Sequence, residues 1–355
     1  MSPDESPAEA EPGRTGSSKL RRIVGVAASF VVAIALLVGV LPALADFSEV
    51  WAAITSLSVA EVAALLAFSV WNLLTYQFVM MAAMPGLSLG RAFMVGQIST
   101  AVSNTVPAGS AVGIGITYAM FSSYGYSAAE IGLAAALSGV WNLFVKLGLP
   151  IFALALVAFR GDANPALLST AVVGLGTLVG AVTAMVLVVR SERLAARIGA
   201  WLGRAASVAA RPIGRGPFPD WADRFIAFRS RTQGLLRQRW HWLTATSLLS
   251  HLSLFALLLV SLRAVGVTSA AVSAPEALAA FALVRLVTAL PVTPGGIGVV
   301  ELGMSAALAV AGGDESQVVA AVLIYRSLTY LLQVPIGLVC WILWRVGVRR
   351  AAVSS

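Results

Sequence analysis

The sequence predicts an all-α polytopic membrane protein, with about six full transmembrane helices and two oppositely oriented re-entrant helical hairpins in an inverted repeat. Three observations lead there. The chain is 59% hydrophobic and only 11% charged over 355 residues, well outside the composition of soluble domains. Apolar runs of roughly 20 residues, long enough to cross a bilayer as a helix, recur along it. Two stretches interrupted by Gly and Pro also sit at corresponding positions of its two halves.

Residues 1–18, rich in Pro, Glu, Ser and Gly, read as a disordered tail, and residues 19–350 as one transmembrane domain. Ile23–Leu41 is the first expected crossing. Lys19, Arg21 and Arg22 precede it and Ala-Leu-Ala precedes Asp46, which resembles a cleavable signal. The apolar run exceeds the roughly 7–15 residues of such a segment, so an uncleaved helix is expected. The other expected crossings are Val62–Met84, Ile131–Ala158, Pro165–Val189, Trp242–Leu262 and Val318–Trp344. They divide the domain into a first half (59–160), a linking helix (165–189), a basic loop (190–240) and a second half (241–350).

The net charge of +8 has one address. Residues 190–239 hold eleven arginines against Glu192, Asp220 and Asp223, and the rest of the chain balances. A cytoplasmic loop obeying the positive-inside rule accounts for this, and no nucleic-acid recognition motif accompanies the arginines. Segments 193–206 and 221–240 are amphipathic and Arg-rich, a pattern that lies on an anionic leaflet. Cys340 is the one cysteine, so neither a disulfide nor a thiolate metal cluster is expected, and no cofactor is implied. His241 and His251 are too far apart in sequence for a zinc pair, and His251 reads as a polar residue on an inner helix face.

Counting positive charge fixes a path with both termini inside. The expected crossings then require residues 91–130 to leave the cytoplasm and return, and residues 264–316 to leave the outer face and return. Each excursion holds two apolar arms of roughly 16–26 Å at 1.5 Å per residue, short of the roughly 30 Å core. In the first, Ala92–Val106 leads to Pro107, Gly109, Gly113 and an arm to Phe121. In the second, Glu276–Val292 leads to Pro294, Gly295, Gly296, Gly298 and an arm to about Ala311. A shift of 187 residues places Pro107 on Pro294, Gly109 on Gly296 and Gly125 on Gly312. The single linking helix inverts the second copy, which is a transporter pattern.

Broken backbone at membrane depth must face protein or a wet cavity. After the second break a new helix is expected near Ile297, its free N–H groups and positive dipole end forming an anion site. Tight helix packing is the other use of such glycines. Lys146, Arg285, Glu301 and Arg326 all fall in predicted membrane segments, where charge is costly unless paired or wetted. Three cations against one carboxylate suit an anionic ligand. An Arg285–Glu301 ion pair across the second hairpin is expected, either as a buried brace or as a switch released by substrate. Arg326, beside Tyr325, is the expected phosphate ligand because a guanidinium binds bidentately, and Lys146 plays that part in the first half. Asn72, Gln77, Gln97, Asn104, Gln317 and Gln333 read as packing hydrogen bonds.

Residues 291–301, PVTPGGIGVVE, resemble the signature of the lysylphosphatidylglycerol synthase transmembrane-region family, also called flippase-like, and NTVPAGSAVGIG at 104–115 resembles its first-half counterpart. The resemblance covers roughly residues 20–350. It implies a bacterial inner-membrane protein related to the domain that flips aminoacylated phosphatidylglycerol, with Pro294, Gly295, Gly296, Gly298 and Glu301 at motif positions and Pro107, Gly109 and Gly113 matching more loosely. Residues 104–115 lack an acid at the place of Glu301, and no soluble transferase domain follows residue 350, so synthase activity is not implied. A translocator of anionic or aminoacylated phospholipid, or of a polyprenyl-phosphate-linked lipid, is the leading expectation. A scaffold for a cell-envelope enzyme partner and a membrane-embedded lipid-modifying enzyme with Glu301 as base are the alternatives. The sequence shows no catalytic constellation around Glu301.

Overall fold

The computed structural model describes residues 47–105, 109–159, 165–210, 220–288 and 294–353, all helical or turn, with no strand among them. The expected tail, the first crossing and Pro107 lie outside the described residues. A short helix, α1 (Phe47–Thr55), precedes α2 (Val59–Ala83), α3 (Leu89–Thr105), α4 (Gly109–Ser123), α5 (Ala128–Val157) and α6 (Pro165–Arg190). Then come α7 (Glu192–Ala210), α8 (Trp221–Ala264), α9 (Ala274–Val287) and α10 (Val299–Val310). The last two, α11 (Glu315–Arg326) and α12 (Gln333–Val353), are joined by a π-helical turn at Ser327–Leu331. Among the described residues, five helices are long and apolar enough to span a membrane: α2, α5, α6, α8 and the continuous α11–α12. The protein is therefore a multi-pass membrane protein.

Capping residues set the helix starts earlier than hydropathy alone does. Ser58 N–H donates to the Glu61 carboxylate at 2.8 Å while the Glu61 N–H donates to the Ser58 hydroxyl. Ser127 and Glu130 repeat this at the head of α5, and Asp314 accepts the Gln317 N–H at 3.0 Å at the head of α11. Each reciprocal pair satisfies amides that the first turn leaves free. Ser127 and Asp314 are themselves 187 residues apart, as are Gly125 and Gly312, which carry φ of 87° and 111° in the turns just before.

One expectation is corrected in the basic loop. The amphipathic segment 221–240 is not a separate surface helix; it runs unbroken into the crossing as the 44-residue α8. No proline interrupts it, and about 66 Å of helix exceeds any bilayer, so its arginine-rich start projects beyond the core. α7 packs along it, and Arg229 reaches both Glu192 and the Arg190 carbonyl. At the other end Arg263 is spent on structure, donating to the Val267 and Val272 carbonyls at 2.7 and 2.8 Å and fixing the turn into α9.

The two short-helix pairs, α3–α4 and α9–α10, each pack as a helical hairpin. Around them the halves interlock. α2 packs on α8, α3 on α12 and α9 on α5, so the first arm of each hairpin lies against the closing helix of the other half. Gly337 permits this for α3, since a Cβ there would run into Ala101 and the Gln97 carbonyl. α6 lies outermost, and no residue in 172–190 is buried.

Candidate functional site

After α9 and residues 289–293 the chain makes one 3-10 turn, Pro294–Gly296, before α10 begins at Val299. Gly295, Gly296 and Gly298 have φ of 60°, 71° and 81°. At Gly298 ψ is −47°, outside even the left-handed helical well that other residues visit. Gly295 has a packing reason as well, because a Cβ would collide with the Tyr330 ring.

Glu301 stands in the first turn of α10 and is 6% exposed. One oxygen, Oε2, accepts the Gly298 N–H at 2.8 Å. The other, Oε1, accepts from Arg326 Nε at 2.6 Å. Arg326 also donates through Nη2 to the Gly295 carbonyl at 3.1 Å, and its guanidinium lies 4.7 Å from the centre of the Tyr330 ring. The Tyr330 hydroxyl then donates to the Asn104 carbonyl at 2.7 Å, one residue short of the end of α3. A chain of polar contacts thus ties the second break to the tip of the first hairpin.

The expected Arg285–Glu301 pair is not formed. With one carboxylate oxygen committed to its own helix start, Glu301 directs the other to α11, which packs on α10, and Arg326 takes it. Arg285 sits near the end of α9 with a buried Nε that has no hydrogen-bond partner among the described residues.

Arg285 lines a cavity of about 470 Å³ together with Lys146, Arg326, Gly295, Gly296, Asn72, Tyr76, Gln97, Thr100 and Asn104. Helices from both halves contribute. Lys146 is 9% exposed. Among the described residues the ion pairs are Arg326–Glu301 and Arg229–Glu192, so neither Lys146 nor Arg285 has a carboxylate. Glu301 stands behind Arg326 and is not part of the cavity wall.

A second cavity, about 550 Å³, meets the first at Tyr76, Thr100 and Arg285. It lies between the first hairpin, α5 and α8, and Ser99, Ser138, Asn142, Ser247, Ser250 and His251 line it. His251 takes the Ser247 carbonyl at 3.0 Å with Nδ1 and leaves its buried Nε2 unpartnered among the described residues. A third, almost wholly apolar groove of about 710 Å³ runs between α5, α6 and α8, walled by residues such as Phe144, Phe152 and Leu178.

Five predicted site residues therefore share one cavity: Lys146, Arg285, Gly295, Gly296 and Arg326. Glu301 and Gly298 support it from behind. Gly109 and Gly113 do not reach it. A Cβ on Gly109 would meet the Val102 and Ser103 carbonyls, and one on Gly113 would meet Ser99 and Ser103. Their carbonyls accept from Ser103 and Ser99 at 3.2 and 3.0 Å, so these glycines serve the close packing of α3 on α4. Tyr76 and Tyr330 were not foreseen, although Tyr330 lies four residues beyond Arg326, the spacing that stacks side chains on one helix face. Asn72 combines both uses, donating to Ser253 at 2.8 Å while lining the cavity.

A comparison with curated proteins gives no match. The family model for the lysylphosphatidylglycerol synthase TM region matches residues 23–337, nearly the whole chain, and the protein belongs to that family.

Proposed function

We propose that the protein moves lipids with an anionic headgroup between the leaflets of a bacterial inner membrane and leaves them chemically unchanged. The observation that carries this reading is the cavity in which Lys146 and Arg285 have no carboxylate partner among the described residues. Cations at membrane depth are costly to keep unpaired, and an anionic headgroup entering the cavity relieves that cost. Thr100, Asn104 and the glycine-rich break offer hydrogen-bond donors and close backbone approach around it.

In this reading the two hairpins are re-entrant, enter from opposite faces and meet at the cavity, and the halves form an inverted repeat. The reciprocal packing of α3 on α12 and α9 on α5 supports it, as do arms of about 18–26 Å, too short to span. Arg285, shared by both polar cavities, hands the headgroup from one to the other. Acyl chains remain in the bilayer or in the groove between α5, α6 and α8. The arginine-rich stretch 190–239 supports a path with both termini in the cytoplasm.

Purified protein reconstituted into vesicles with a fluorescent phosphatidylglycerol in one leaflet tests this. The expected result is flip of the label, strongly reduced in Lys146→Ala and Arg285→Ala although both insert normally. Wild-type rates of flip in both variants would remove the cavity from the mechanism.

A further inference from the structure

The charge on the cavity wall narrows the class of headgroup. We propose that the site selects a headgroup with two negative charges and no ammonium group, the chemistry of a phosphomonoester or pyrophosphate, and disfavours aminoacylated and zwitterionic lipids. The inference rests on the lipid-translocating reading above.

Among the described residues three cations face the cavity and no carboxylate does. Arg326 is already neutralised, since Glu301 bonds it at 2.6 Å with one oxygen and spends the other on Gly298. Lys146 and Arg285 remain. Lys146 is more than nine-tenths buried, and Arg285 keeps a buried Nε with no hydrogen-bond partner among the described residues. Two uncompensated cations in a low-dielectric wall call for two negative charges, because each surplus charge there interacts far more strongly than in water. A phosphomonoester carries about −1.5 to −2 at neutral pH, whereas a phosphodiester carries one.

The same wall is hostile to an ammonium. Such a group needs a carboxylate to offset the repulsion of Lys146 and Arg285, and among the described residues the wall offers it only neutral amide, hydroxyl and carbonyl oxygens. Arg285 offers a planar fork for two phosphate oxygens and Lys146 a point charge for a third. A volume of about 470 Å³ is within the range of small-molecule sites.

Native mass spectrometry of the full chain, released from micelles with equal amounts of phosphatidic acid, phosphatidylglycerol and lysyl-phosphatidylglycerol, reads the selectivity. Inorganic pyrophosphate in a parallel titration tests for a soluble source of the same anion. Phosphatidic acid should be retained about tenfold or more over phosphatidylglycerol, one extra charge-assisted contact being worth at least that ratio. Lysyl-phosphatidylglycerol should be retained least. Lys146→Gln and Arg285→Gln should each reduce phosphatidic acid to the level of phosphatidylglycerol, and Lys146→Arg should preserve the preference in a folded protein. Equal retention of phosphatidic acid and phosphatidylglycerol, or retention of the lysyl lipid as well as either, would refute the charge selectivity and leave the translocator reading standing. Tight binding of pyrophosphate with no lipid held above its bulk fraction would refute both.

Discussion

Breaking the Arg326–Glu301 pair should destabilise the protein more than any other single contact at the cavity. Both side chains are nearly out of solvent, 13% and 8% exposed, so water and salt screen the pair weakly. Truncating one member of a buried pair leaves the other uncompensated, at about 3–5 kcal/mol. Arg326→Ala also forfeits the stacking on Tyr330, about 1 kcal/mol, and the bond to the Gly295 carbonyl, about 1 kcal/mol. Its expected loss is therefore about 5–7 kcal/mol. Glu301→Ala strands the Arg326 cation and the Gly298 N–H for about 4 kcal/mol. The double variant removes both charges together, so its loss should fall short of the sum by about 2–3 kcal/mol. Reversible unfolding in mixed micelles, followed by the intensity of tryptophan emission, measures all three. A loss below about 1 kcal/mol in either single variant, or additivity within about 0.5 kcal/mol, would mean that the pair is not the buried tie that its geometry describes.

Gly298→Ala should cost about 1–3 kcal/mol, because its φ and ψ suit only glycine, whereas Gly303→Ala, on the body of α10 with ordinary contacts to Val284, should be close to neutral in the same unfolding assay. Equal effects would show that backbone conformation does not decide the first. With Cys340 replaced, Ser123→Cys, at the exposed end of α4, and Ser269→Cys, in an exposed turn, both outside the cavity, should label with a membrane-impermeant maleimide from opposite faces of sealed vesicles. Labelling from a single face would refute the inverted repeat.

What could be read from the sequence depended on whether the signal was linear or angular. Length and hydropathy set out α2, α5, α6, α8 and the α11–α12 crossing, and the Pro/Gly clusters marked where each hairpin turns. The starts slipped by about three residues because Ser58–Glu61 and Ser127–Glu130 cap polar turns that hydropathy scores as loop. The union of 221–240 with the crossing in α8 was hidden because an amphipathic pattern and an apolar one look like two objects, although nothing between them ends a helix. Arg285 and Glu301 lie on facing arms, which suggested their pairing. Which side of each helix they occupy is a tertiary fact, and α11 supplies the nearer cation. Likewise the α4 glycines belong to a helix contact, whereas Gly295 and Gly296 before α10 belong to a cavity wall, a difference set by what stands opposite them.

The position of Glu301 explains why an acid stands three residues after a glycine break. A helix whose first turn is buried exposes N–H groups that must find acceptors within the protein. Glu301 meets that need at Gly298 with one oxygen and is left with a negative charge that must itself be matched. Arg326 matches it and, held there, also fastens the Gly295 carbonyl and the Tyr330 ring. Through Tyr330 the same contacts reach Asn104 on the first hairpin. The acid thus organises the break and neutralises one cation, which leaves the net charge of the cavity to Lys146 and Arg285. Had Glu301 paired with Arg285, the free cation would be Arg326, tied to the break itself, and in the proposed translocation a headgroup leaving it would disturb the backbone that shapes the site. In the proposed translocation Arg285, unpaired among the described residues and facing both polar cavities, is both the cation that attracts the headgroup and the one placed to pass it on.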